Sequence, residues 1–213
     1  MVAGGDARGG AGDARLEVVR RLQAIAATGL HYATDPHDVA RYAELRAVAA
    51  RLADPAAGAA LEPLLTSDAG HPTPKVDVRG ALFRDGRVLL VREREDGRWT
   101  LPGGWADLGD TPREAVEREV REESGWPVRA AKLFAVDDRD RRNHPPHVHR
   151  IYKLLFLCEP LADEPGPPDH EVDETGFFAL GDLPPLSTGR TTAAQLGRAF
   201  AHHADPSLPT EFD

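Results

Sequence analysis

Between Leu16 and Leu30 the apolar residues Leu16, Val19, Leu22, Ala26 and Leu30 recur at steps of three and four, the spacing of one helix face. Asp13 is the expected N-cap and Gly29 the expected stop. A second helical run starts at Asp35, with Pro36 in its first turn and Val39, Tyr42, Leu45, Val48, Ala49 and Leu52 along one side. Two such helices form a hairpin over residues 15–66. A pair this short cannot build an independent core, so its apolar faces are expected to pack on each other and on a second subunit or the following domain. A homodimer is the expected assembly.

The period changes after the Pro- and Gly-containing stretch 67–74, which reads as a linker. Residues 76–83 and 87–92 are β-rich runs separated by Arg84-Asp85-Gly86, and Asp-Gly is a hairpin signal. Further strands are expected near 126–137, 150–158 and 174–179, and helices over 112–124 and 191–202. This order predicts an α/β domain with a mixed sheet between helical layers, spanning 75–205. Residues 1–14 hold five glycines and little bulk and read as a tail, as do residues 206–213.

Composition narrows the possible functions. Across 213 residues, 26 Lys and Arg stand against 35 Asp and Glu, a formal charge of -9, which leaves no global basic field for duplex DNA or an anionic membrane. No apolar run reaches the ~20 residues a membrane span requires. The single cysteine, Cys158, excludes an intrachain disulfide and a zinc site of cysteine pairs, and a cytoplasmic location is expected.

The chemistry concentrates in residues 101–126. A Gly-rich loop, Leu101-Pro102-Gly103-Gly104, leads towards a helix with Thr111 as N-cap, Pro112 at N1 and Glu114 at N3, stopping at Gly125. Glu119, Glu122 and Glu123 stand at i, i+3 and i+4, so their carboxylates are expected to share one patch. Their repulsion makes sense if a divalent cation neutralises them, and an all-oxygen set favours Mg²⁺ or Mn²⁺ over zinc. Magnesium shares phosphate oxygens readily, which points to a phosphorylated ligand. The plainer reading is a solvated helix whose Arg113, Arg118 and Arg121 neutralise the acids. The adjoining loop argues for the metal, since Gly104 can offer it a carbonyl.

This stretch resembles the signature of the Nudix hydrolases: Gly104, Arg118, Glu119, Val120, Glu122, Glu123 and Gly125 fall on it in register. Asp110 stands where the family usually has Glu, and Trp126 where it usually has an aliphatic residue. The resemblance implies an α/β/α sandwich and hydrolysis of a nucleoside diphosphate linked to a moiety X. It implies metal ions on Glu119, Glu122, Glu123 and the Gly104 carbonyl, with Glu119 or Glu123 assisting the attacking water. It also implies that Asp110 pairs with Arg118 to brace the loop, and that a further carboxylate comes from outside the signature, for which Glu174, Glu171 and Asp173 are the candidates. The N-terminal helices, with Leu183 to Arg190, are similar to those of bacterial Nudix proteins carrying a short helical domain. That likeness implies activity on CDP-choline, with removal of RNA 3′ nucleotides as a second activity and ADP-ribose as an alternative substrate.

Outside the signature, Arg92 and His149 are expected to contact substrate. His149 is expected to open the strand that continues through Tyr152, beside the basic, Pro-containing stretch 137–150. Trp126 and Cys158 read as core residues. The alternative from another class is a nucleotide sensor without catalysis, against which the repelling acid cluster argues.

Overall fold

The computed structural model describes residues 7–53, 71–168 and 172–213, with residues 7–13 as backbone only. Two compact units divide the chain between Pro74 and Lys75, and the short segment Pro146–Arg150 belongs with the first unit.

The first unit is a helical hairpin of α1 (Ala7–Tyr32) and α2 (Pro36–Ala53). α1 starts within the stretch expected to be a tail and passes through Gly29, so neither Asp13 nor Gly29 ends it. Gly29 is a packing position: a Cβ there would lie 2.4 Å from the Tyr42 ring of α2, so only glycine allows that approach. Asp35 begins α2 as expected, its Oδ1 accepting the His37 and Asp38 N–H groups at 2.8 and 3.2 Å. Val19, Gln23 and Ala26 of α1 and Ala49 and Ala50 of α2 are buried, while Val18, Ile25, Val39, Val48 and Leu52 remain exposed. No described helix is long and apolar enough to cross a membrane.

The second unit is built on a mixed sheet. Its strands are β1 (Lys75–Arg84), β2 (Arg87–Glu93), β3 (Trp99–Thr100), β4 (Val128–Asp138), β5 (Ile151–Pro160), β6 (Val172–Phe178) and β7 (Glu211–Phe212). They run in the order β3-β2-β1-β5-β4-β7, and β6 pairs with β2. β1 and β5 are parallel over eight register pairs, from Lys75↔Ile151 to Leu82↔Cys158. The β1–β2 turn has Asp85 and Gly86 at φ 51° and 68°, the two left-handed residues of a tight hairpin turn.

Alternation along the strands feeds two cores. Val78, Leu82, Leu89, Phe156 and Cys158 pack with Ala115, Val116 and Val120 of α3 (Pro112–Ser124). Ala81, Val88, Leu90, Leu155 and Leu157 pack with Leu196 and Ala199 of α4 (Ala193–Ala204). A helix on each face makes the expected α/β/α sandwich. Trp126 is a core residue, 5% exposed and edge-on to Phe177 at 6.0 Å. Cys158 is buried, which pushes its thiol up to about 12. The C-terminal residues are not a tail: β7 pairs parallel to β4, and Lys132 Nζ donates to the Pro206 and Leu208 carbonyls.

Candidate active site

The Gly-rich loop is laid along the edge of β1 like a further strand. Gly80 N–H donates to the Pro102 carbonyl at 2.9 Å, Val78 N–H to the Gly104 carbonyl at 2.8 Å, and Ala106 N–H to the Val76 carbonyl at 3.0 Å. Asp77 and Trp105 form an antiparallel bridge within this run. Gly103 sits at φ +139°, where a Cβ would meet the Val78 carbonyl oxygen at 2.0 Å, so this position requires glycine. A Cβ on Gly104 would lie 2.7 Å from Glu119 Oε2, which places the loop directly against the helix acid. Upstream, Leu101 is held at both ends of its peptide unit: its N–H donates to Thr191 Oγ1 at 3.1 Å, and its carbonyl accepts from Arg79 at 3.1 Å.

α3 is fixed at both termini, as the sequence predicts. Thr111 and Glu114 form a reciprocal capping box, Pro112 opens the first turn, and Gly125 closes the helix at φ 75°. From this helix Arg118 reaches four carboxylates: Asp110 at 3.1 Å, Asp107 at 3.2 Å, Glu119 at 2.8 Å and Glu122 at 3.2 Å. The Asp110–Arg118 brace is therefore made with the shorter acid.

The three glutamates share a helix face but not a common focus. Arg118 bridges Glu119 and Glu122, while Glu123 turns under the loop and accepts the Gly103 N–H at 2.8 Å. Among the described residues, no three His, Cys, Asp or Glu side chains converge closely enough to hold a metal ion. Each acid takes a partner within the protein. Burial pushes the Glu123 carboxyl up to about 8, with Glu93 and Glu119 adding to the effect against Arg79 and the Gly103 N–H. Burial also raises Glu119, against Arg118 and Arg79. Glu123, which is buried, and Glu119, which is partly buried, offer only oxygen donors and fit a hard divalent cation in donor chemistry. The Gly104 carbonyl keeps one lone pair beyond the Val78 bond.

The other expected site residues are dispersed. Glu174 lies on strand β6, in register with Arg92 of β2 and ion-paired with it at 3.4 Å. Asp173 pairs with Arg94 at 3.0 Å. Glu171 lies outside the described residues. His149 precedes β5 instead of opening it and belongs with the helical unit. There its neighbours include Arg20, which donates to the Val148 carbonyl at 3.3 Å, and Arg150, which pairs with Glu17 at 3.0 Å. Pro145 and Pro146, shortly before it, have no N–H to give a strand ladder.

A buried charge cluster was not anticipated. Asp77 and Arg79 of β1 and Lys153 of β5 are each 5% exposed or less. Arg79 forks onto Asp77 at 2.7 and 3.1 Å, and Lys153 Nζ donates to the same carboxylate at 2.6 Å. Burial disfavours the Asp77 charge, but Arg79 and Lys153 outweigh it and hold the carboxyl below its usual range. Burial lowers Lys153 to about 8 despite Asp77. The available signal was the presence of charged residues inside otherwise apolar strand runs.

Comparison with known proteins follows the same division of the chain. Residues 73–200 match the family model described as the NUDIX domain, and residues 13–66 match one described as a UDP-X-like, N-terminal oligomerisation domain. The YjhB protein of Bacillus subtilis (strain 168), provisionally named an ADP-ribose pyrophosphatase, is 39% identical over 201 residues, covering 93% of this chain and 96% of its own. The crystal structure of an ADP-ribose pyrophosphatase from Streptococcus suis 89-1591 is 40% identical with a TM-score of 0.61, over 66% of this chain and all of that one (100%). The crystal structure of a UDP-X diphosphatase is 29% identical with a TM-score of 0.61, over 95% and 99% of the two chains.

Proposed function

The chain belongs to the NUDIX family of hydrolases, and from that premise we propose that it cleaves the diphosphate of a nucleoside diphosphate linked to X, giving a nucleoside monophosphate and X-phosphate. One observation carries this reading: the Gly-rich loop is paired to β1 and pressed against Glu119, beside a doubly capped helix whose three acids supply only oxygen donors. ADP-ribose is favoured by the names of similar proteins, and CDP-choline by the resemblance of the N-terminal helices.

We assign Glu119, Glu122 and Glu123, with the Gly104 carbonyl, to holding Mg²⁺ or Mn²⁺, and Glu174 as the acid added from outside the signature. A bound divalent cation would polarise the phosphoryl oxygens and acidify an attacking water. The protein's own part is positioning. Arg118 is held by Asp110 and Asp107 and orients Glu119 and Glu122 by donating to both. We assign Glu119 or Glu123, the two acids nearest the Gly-rich loop, to assisting the attacking water. The N-terminal helices, with their exposed Val18, Ile25, Val39 and Val48, are assigned to joining two copies of the chain.

The test uses purified protein with ADP-ribose, CDP-choline, NADH and short RNA, with and without Mg²⁺ or Mn²⁺. Metal-dependent release of nucleoside monophosphate from one of them is expected. Full activity in both Glu122→Gln and Glu123→Gln would refute the metal assignment. Nucleotide binding without cleavage of any substrate would favour a sensor.

A further inference from the structure

Trp105 follows Gly104, the residue packed against Glu119, and is the half-exposed indole of the chain: 48% exposed, against 5% for Trp126, while Trp99 packs against the second core. Its backbone is held by neighbours on both sides, through the Gly104 carbonyl and the Ala106 N–H. The ring is therefore carried on a fixed strand edge and is not at the tip of a free loop. The antiparallel bridge pairs Trp105 with Asp77, and directly opposed residues project from the same face. Arg79, two residues along β1, shares that face, as does Lys153, which is in register with Asp77 and bonded to it. Arg79 and Lys153 thus stand on the face of the strand pair from which the indole projects. An exposed apolar ring on the face that carries Arg79 and Lys153, one residue along the chain from the Gly104 that meets Glu119, complements a ligand with a planar base next to a phosphate.

We propose that Trp105 is the stacking platform for the nucleobase of the substrate, a specificity-determining residue that sets KM and leaves the chemical step alone. This deepens the hydrolase reading above and rests on it for the identity of the ligand. Stacking tolerates any base, because every base presents a π face, so Trp105 selects for a nucleoside without choosing among nucleosides.

The experiment combines tryptophan emission with calorimetry on the full-length protein, using AMP, CMP and UMP as probes and ribose 5-phosphate as the base-free control. The wild type is expected to show quenched emission with the nucleotides. Trp105→Phe should bind them within about threefold of wild type with no quench, since its remaining indoles lie in the core. Trp105→Ala should lose roughly 10- to 100-fold in nucleotide affinity with ribose 5-phosphate binding unchanged. In turnover, Trp105→Ala should raise KM with kcat retained. An equal quench in Trp105→Phe, unchanged nucleotide affinity in Trp105→Ala, or no nucleotide binding by the wild type would overturn the assignment. So would emission from Trp105 that responds to protein dilution and not to nucleotide, which would place a second copy of the chain over the ring. Hydrolysis that proceeds with no Trp105 effect defeats this inference alone, while a Trp105-dependent quench without hydrolysis of any substrate defeats only the catalytic reading.

Discussion

Replacing Asp77 with alanine removes the one carboxylate shared by two buried cations. Asp77 accepts two bonds from Arg79 and one from Lys153, at 2.7, 3.1 and 2.6 Å, and all three residues are 5% exposed or less. Breaking a buried ion pair by deleting one partner costs about 3–5 kcal/mol, a large share of the roughly 5–15 kcal/mol by which a domain is stable. In a protein of this length each kcal/mol corresponds to roughly 2–4 °C, so Tm should fall by about 6–20 °C in differential scanning calorimetry. The loss should depend on pH. Lys153 titrates near 8 in the folded protein, below its ordinary value, so the unfolded chain binds the extra proton and stability rises with pH between about 8 and 10.5. Below about 8 the full penalty for burying its charge is present. Without Asp77, Lys153 loses the attraction that holds its proton, and the window of rising stability should extend to lower pH. Arg79 cannot shed its proton, so recovery at high pH should be incomplete. A Tm within 2 °C of wild type, or a deficit that does not change from pH 7 to pH 9, would refute the argument.

Other consequences are open to simpler tests. Gly103→Ala places a Cβ 2.0 Å from the Val78 carbonyl oxygen at φ +139°, and should cost about 1–3 kcal/mol by urea denaturation while detaching the loop and abolishing turnover. Thr191→Val removes the acceptor for the Leu101 N–H and the partner of the Thr100 hydroxyl at 2.8 Å, and should cost about 1–3 kcal/mol in the same assay. Asp110→Ala, which breaks a part-exposed contact with Arg118, should change stability by no more than about 1 kcal/mol; a larger loss would show that the brace supports the fold. Glu122→Gln and Glu123→Gln should each lower kcat about 100-fold or more with unchanged circular dichroism, and EDTA should stop wild-type turnover until Mg²⁺ or Mn²⁺ is restored.

What the sequence determined was local. The Asp35 cap of α2, the Asp-Gly hairpin and the alternation of β1 and β5 follow from interactions among residues a few positions apart, and α3 begins and ends where Thr111, Pro112 and Gly125 require. The i, i+3, i+4 spacing likewise placed three glutamates on one face, because helix geometry needs no knowledge of the rest of the chain.

Tertiary structure decided the partners of those residues. Whether Glu123 faces solvent or the Gly103 N–H, and whether Arg118 separates Glu119 from Glu122, depends on how the loop docks along β1. Gly29 reads as a stop in isolation and becomes a packing position only when Tyr42 lies across it. The Asp77–Arg79–Lys153 cluster joins positions 76 residues apart through a parallel strand pair. The short strands β3 and β7 carry too few residues to show a period and exist through their neighbours' unpaired edges. Periodicity reports which face of an element is apolar; the energy of a buried charge depends on what stands opposite it, and only the folded chain brings those groups together.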